Sequence, residues 1–399
     1  MKQYIKLLKN NYVVKKLSLI QLISYFGAWF SNVAIYTLLI KLEVSAEIIA
    51  FVAMLHFLSG AVLTPITGAI IDRFEPKKLL LILIFIEIIS TFFMIFVDSV
   101  EYLYILYILI FIKMATASFY FTTEMSLLPK IVKDKELQLT NELHSIIWSF
   151  SYTAGMALSG YFVYIFGIKI AFLIDSFLFC IAFFILLNLH VKVQNNVKEN
   201  IFKMIFETFI YLKSNPKIFY LMIVHAFVGF SAFDALVAIL SDVYYKYFIA
   251  ASLSIGLIHS FRALGLVIGP IILGKWVNKK NLFKVFLFET VAIIIWGFLE
   301  HNFYLSLVGS IFVGFFTTTL WSYTYTLIQK NTDDKFYGRV VAYNDMIFLS
   351  VASLTSYLSG YLYEQGLSLK FVTILIGISF LIGGIFYKWV EKNYNIRDI

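Results

Sequence analysis

The sequence predicts an all-α membrane protein in which twelve transmembrane helices form two six-helix bundles, and three observations lead there. Hydrophobic residues make up 61% of the 399 and charged residues 14%, more apolar mass than a water-soluble domain of this length buries. Apolar stretches of about 20 residues, the length that crosses a bilayer core, follow one another from near Leu17 to near Trp389. Basic residues collect in alternate gaps between those stretches.

The first span falls near 17–40. It is too long for a signal peptide and lacks a small-residue cleavage site, so it reads as a retained helix. The others fall near 48–71, 79–97, 102–125, 140–165, 170–189, 218–243, 252–274, 282–299, 303–328, 339–363 and 370–389. Twelve spans put both termini on one side. That side holds 26 of the 32 Lys and Arg residues, among them Lys6, Lys77, Lys133, Lys203, Lys279, Lys335 and Lys392, whereas the other side holds Lys41, Lys169, Lys246 and Lys370. Basic residues beside a span resist translocation, so the rich side is expected to be cytoplasmic. The expected location is the bacterial cytoplasmic membrane, with both termini inside.

The longest gap, 191–216, is polar at first and then amphipathic through Ile201, Ile205, Phe209 and Leu212, the spacing of a helix lying on the cytoplasmic interface. It divides the chain into an N-terminal bundle (1–190), a linker (191–216) and a C-terminal bundle (217–399). The two halves repeat each other. Lys130, Asp134, Lys135, Ser159, Gly160 and Tyr161 recur 200 residues on as Lys330, Asp334, Lys335, Ser359, Gly360 and Tyr361. With one residue inserted, Gly60, Pro65, Gly68 and Asp72 also align with Gly265, Pro270, Gly274 and Asn278. Such parallel repeats are expected to flank a central cavity, as in many secondary transporters.

Composition excludes several classes of function. Cys180 is the one cysteine, so disulfide frameworks and cysteine metal sites are ruled out. His56, His144, His225 and His259 are spread over four spans without a helix-local ligand pair, and no metal is expected. The net charge of +8 lies beside spans, where anionic lipid headgroups attract it, so membrane lipids and not nucleic acid are the expected partners. No Gly-x-x-x-x-Gly-Lys-Ser/Thr loop occurs, so ATP is not the direct energy source and no cofactor is expected. Acids and histidines are not clustered at one depth near an interface, as a membrane-embedded enzyme requires. That class, together with lipid scramblases, stays as the distant alternative.

Between spans 2 and 3 stands Gly68-Ala69-Ile70-Ile71-Asp72-Arg73-Phe74-Glu75-Pro76-Lys77-Lys78. This resembles the cytoplasmic loop signature of the major facilitator superfamily, with Glu75 and Pro76 in place of the usual Gly and Arg. The resemblance implies a cytoplasmic gate: Gly68 admits a neighbouring helix, Asp72 sits against the start of span 11 near Gly338 and Arg339, and Arg73 pairs with Glu124 at the cytoplasmic end of span 4. Lys77 and Lys78 complete the motif. Gln21, Ser24 and Gly27, Leu128-Pro129-Lys130, Ile174-Asp175-Ser176-Phe177 and Tyr211-Leu212-Lys213-Ser214-Asn215-Pro216 resemble the drug-exporter branch that includes macrolide efflux proteins and enterobactin-type siderophore exporters. Two positions depart from that branch: Ala28 replaces an acid, and span 5 has Gly155, Met156 and Gly160 without the antiporter proline.

Ionisable groups at bilayer depth are costly unless they meet a partner or a wet cavity, which makes each a candidate. Lys113 lies about 16 Å deep in span 4 by helix rise and is read as a substrate or proton-coupling group, against an ion pair with Glu87 or Asp175. Asp234 and Arg262, at similar depths in spans 7 and 8, are placed for a salt bridge, static or proton-sensitive. Asp175 is read as structural, and Glu87 and Glu289 as satisfied buried acids. Asn32, Tyr36, Trp148, Tyr152, Trp321 and Tyr323 are candidate walls for a large lipophilic solute. The expected function is proton-coupled efflux of an amphiphilic drug, macrolide or siderophore by a monomer, with uptake of a polar metabolite as the alternative.

Overall fold

The computed structural model describes residues 2–71, 74–132, 134–190 and 201–397. Among them the chain is helix and turn without strand, as the backbone of a bilayer-spanning chain must be if its polar groups are to pair within their own segment. Eleven helices or helix pairs are long and apolar enough to span a membrane. The predicted fifth span falls on a further long helix, α6 (Asp134–Phe166), whose first turns carry Glu136, Glu142 and His144 and lower its apolarity. The all-α membrane architecture is therefore as expected.

By internal packing the chain forms two units, Met1–Leu42 with Ile66–Lys198 and Glu43–Pro65 with Glu199–Ile399. The first contains a short α1 (Lys2–Asn10), α2 (Tyr12–Lys41), α4 (Pro76–Phe93), α5 (Leu103–Ile131), α6 and α7 (Ile168–Leu187). Asn11 caps α2 by accepting the Val14 N–H at 3.1 Å, and Pro76 opens α4 at a position where its missing N–H is not needed. Packing of α2 on α6 and α7, and of α4 on α5 and α7, buries Leu17, Ile20, Leu80, Ile84, Leu127 and Phe179.

The second unit contains the linker helix α8 (Ile201–Ser214), α9 (Pro216–Ala226), α10 (Asp234–Leu240), α11 (Ala251–Leu273), α12 (Leu282–Leu299), α13 (Phe303–Asn331), α14 (Tyr337–Glu364) and α15 (Leu369–Asn393). It also takes in residues 43–65 of α3 (Ala46–Ile71), which the sequence assigns to the N-terminal bundle. Polar contacts with α14 explain this. Glu364 Oε1 accepts the Ala46 N–H at 2.7 Å, capping an orphan donor at the start of α3, and the Tyr357 hydroxyl donates to Glu47 Oε1 at 2.6 Å.

Linker residues 191–200 lie outside the described residues, and α8 follows them as a helix of 14 residues. Tyr211 stacks on Phe336 with ring centroids 4.1 Å apart, and its hydroxyl accepts the Asp333 N–H at 3.0 Å. On the other face Phe206 and Phe209 are exposed, as a helix bedded in lipid headgroups requires. Burial lifts the Tyr211 phenol above its ordinary value.

Glycine sets the crossing of α11 and α13. A methyl at Gly265 or Gly269 would fall on the carbonyls of Ile311 and Phe315, and one at Gly314 on the carbonyl of Arg262. Small residues let the two backbones touch, the usual device where lipid gives helices no hydrophobic reason to associate.

Candidate functional site: buried charges and an interrupted helix

In the first unit, Lys113 of α5 meets two acids. Its Nζ donates to Asp175 Oδ2 of α7 at 3.0 Å and to Thr91 Oγ1 of α4 at 2.8 Å, and lies 3.6 Å from Glu87 Oε2 of α4. The Ser31 hydroxyl of α2 also donates to Asp175 Oδ2, and the ammonium sits 4.7 Å from the Phe179 ring centroid. All three charged groups are buried. One cation stands between two buried carboxyl groups in low dielectric, where breaking a pair is far costlier than forming it is favourable. Thus both ion-pair partners named from the sequence are present together, and Ser31 and Thr91 join four helices at one point. Thr91 is four residues after Glu87 on the same helix face, a spacing that was legible but not used.

The second unit interrupts a span. After α9 the chain tightens into a 3₁₀ turn at Phe227–Ser231, leaves helical geometry at Ala232 and Phe233, and resumes as α10 followed by a π-turn at Ser241–Tyr245. Such a break strands backbone carbonyls on one side and N–H groups on the other. Arg262 of α11 answers the first: its Nη2 donates to the Ser231 carbonyl at 3.0 Å while the guanidinium lies 5.0 Å from the Phe233 ring centroid. Asp234 stands at the start of α10, where the helix dipole favours a negative group. His259, one turn before Arg262, lies within the fields of both Asp234 and Arg262. The two charges singled out at similar depth thus flank one defect, which periodicity alone did not reveal. Glu289 of α12 accepts from the Thr317 hydroxyl at 2.6 Å and is fully buried.

The gate motif is described only in part. Asp72 and Arg73 lie outside the described residues, and Gly68 falls in the last turns of α3. Lys77 Nζ donates to the Leu187 carbonyl at 2.9 Å, tying the loop to the end of α7, and Lys78 pairs with Glu75 at 2.9 Å on the surface. Arg339 Nη1 reaches Glu207 Oε2 of α8 at 3.2 Å. Glu124 is fully buried on α5, near Tyr25 and Tyr120.

The candidate wall residues divide. Trp148 is exposed and belongs to a lane of rings, with Tyr152 5.4 Å away and Trp29 4.6 Å beyond it. Asn32 is half-buried with its Oδ1 lacking a hydrogen-bond partner, whereas Tyr36 is fully buried in α2. In the second unit Trp321 stacks on Tyr325 at 4.9 Å, and Tyr323 is buried. Asp345, a half-buried acid on α14 that accepts from Asn344 at 3.3 Å, was missed. Its position inside a predicted span was the available signal.

Two repeats of membrane-spanning helices, each holding charges in its interior and one carrying an interrupted span, define a multi-pass transporter fold. The model of the Major Facilitator Superfamily matches residues 17–299 and again 235–398, and the chain belongs to that superfamily as a secondary transporter. Solved structures share the fold. The bacterial homologue of the human lysosomal transporter Spinster, inward-facing and occupied, superposes with a TM-score of 0.76 at 12% identity over 96% of this chain and 97% of that one. The D-xylose-proton symporter gives 0.75 at 10% identity over 94% and 96%, and the nucleoside transporter NupG gives 0.71 at 13% over 96% and 100%. No curated protein matches the chain by sequence.

Proposed function

We propose that the chain exports an amphiphilic small molecule of the drug, macrolide or siderophore kind across the bacterial cytoplasmic membrane in exchange for protons, working as a monomer by alternating access. The observation that carries this reading is the interrupted span 7, with Arg262 on the Ser231 carbonyl and Asp234 at the restart. Broken helices in transporters place fixed dipoles and freed backbone groups where solute and coupling ion bind. When a cation withdraws from a nearby carboxylate, the acid's proton affinity rises. In this reading Arg262 leaving the Ser231 carbonyl changes the field at Asp234 and so links conformation to proton uptake. The lane of rings that ends on the exposed Trp148 and the Trp321–Tyr325 stack suit a lipophilic solute with a polar end.

Uptake of a polar metabolite is the second reading, favoured by the likeness to a D-xylose-proton symporter and a nucleoside transporter. Accumulation of ethidium in cells with and without the gene separates the two. Export predicts that accumulation rises when the gene is deleted, and that Asp234→Asn behaves as the deletion. A fall on deletion supports uptake, and no change in either direction removes lipophilic cations as the solute class.

A further inference from the structure

The offset of 200 residues that relates the halves also relates two polar nodes. In the second unit His225 Nδ1 lies 2.8 Å from Thr324 Oγ1, with the Trp321 and Phe348 rings 5.7 and 5.3 Å from the imidazole. In the first unit the matching positions are Tyr25, Glu124, Phe121 and Trp148, and Asn344 is matched by His144. There too an imidazole sits among rings: Tyr25 Oη is 3.4 Å from His144 Nε2, the Phe121 ring is 5.5 Å away, and the Gln21 amide contacts His144 Nδ1. The difference between the nodes is chemical. Where the second repeat has the Thr324 hydroxyl, the first has the carboxyl of Glu124.

Glu124 is fully buried, and among the described residues neither carboxylate oxygen has a hydrogen-bond partner of good geometry. The Lys113 cation is 11 residues away on the same helix, about 16 Å by helix rise, and is already engaged by Asp175 and Glu87. Among the described residues the groups that meet Glu124 are uncharged: Gln21 and Tyr25 on α2 and Tyr120 on its own helix, with His144 of α6 in contact with Gln21; Arg73, which the sequence pairs with Glu124, lies outside them. A fully buried ionised carboxylate that no cation meets among the described residues is costly.

We propose that Glu124 is a proton-binding site of the first repeat, with His144 and Gln21 as positioning residues that set when the carboxyl gives its proton up. Protonation makes the carboxyl a neutral O–H donor, and deprotonation leaves a charge that must be met by the Gln21 amide, itself in contact with His144, or by water entering along α5 as the bundle opens. The site is distinct from the Asp234–Arg262 break, so the two repeats play unequal parts: one binds the proton within its bundle, and the other carries the helix defect.

The test begins with a measurement that needs no solute, so it stands apart from the transport reading. Infrared difference spectra of the purified full chain in lipid, recorded across pH, are expected to contain a protonated-carboxyl band that is lost in Glu124→Gln and retained in Glu289→Gln. In His144→Gln the band's midpoint shifts while thermal unfolding stays near wild type, which a purely structural histidine would not produce. The second arm uses proteoliposomes and ethidium: Glu124→Gln loses flux driven by a pH gradient but keeps downhill exchange, and Glu124→Asp recovers part of the driven flux. A spectrum unchanged in Glu124→Gln, or driven flux equal to wild type in that variant, overturns the proposal. If wild type moves no ethidium, lipophilic cations are removed as the solute class while the infrared arm still decides the site.

Discussion

Arg262 closes the break in span 7, donating from Nη2 to the Ser231 carbonyl at 3.0 Å while its guanidinium lies against Phe233. A buried hydrogen bond to a charged group contributes about 1.5–3 kcal/mol. Arg262→Gln is therefore expected to lower the stability of the solubilised protein by about that amount. Arg262→Lys keeps the charge without the planar fork and should fall between. Thermal unfolding of the three proteins checks the order, and a wild-type midpoint for Arg262→Gln would show that the break holds without its cap.

Lys113 offers a different signature because it serves two acids. Lys113→Met leaves Glu87 and Asp175 buried without a cation and should cost about 3–5 kcal/mol. Adding Glu87→Gln and Asp175→Asn removes the uncompensated charge, and most of the loss should return. Denaturant unfolding of the single and triple variants measures this. A triple variant no more stable than Lys113→Met would mean that the ammonium acts through something other than these carboxylates.

Stability should fall as pH rises because of Glu300, in the turn between α12 and α13. The Thr373 hydroxyl lies 2.8 Å from Glu300 Oε2 and 3.1 Å from the Leu369 carbonyl, so its single proton cannot serve both. Burial outweighs this contact and the field of Lys370 and pushes the Glu300 carboxyl from 4.5 up to about 8. The folded state then holds a proton that the unfolded state has released. The resulting stability is fully present below pH 4.5 and is lost as the pH rises through about 8. The slope within that window is at most about 1.4 kcal/mol per pH unit. Unfolding midpoints measured from pH 5 to 9 should decline less in Glu300→Gln than in wild type; parallel curves would refute the assignment.

The crossing of α11 and α13 predicts an asymmetry among glycines. Gly265→Ala places a methyl on the Ile311 carbonyl and should cost about 1–3 kcal/mol, the usual penalty of overpacking. Gly338→Ala, where a Cβ meets no described residue within 4 Å, should be neutral or slightly stabilising by helix propensity. Equal effects in thermal unfolding would count against the crossing.

Much of the site was legible residue by residue, because a charge inside an apolar stretch announces itself in composition. Lys113, Asp175, Asp234 and Arg262 were found that way. Their partners were not, since Ser31, Thr91 and Ser231 are ordinary in helices and gain a role only when another helix brings a charge to them. The interruption at Ala232 and Phe233 was equally hidden. No proline marks it, and hydropathy runs straight across it.

By itself the sequence determined that this chain lies in lipid as a twice-repeated set of helices, because apolar length and the placement of basic residues are read directly by the bilayer and its charged surfaces. Only the tertiary structure decided which buried charges are neutralised by one another, which span is broken, and that residues 43–65 pack with the second unit. Those outcomes depend on distances of a few ångströms between helices far apart in the chain, and hydropathy carries no record of them.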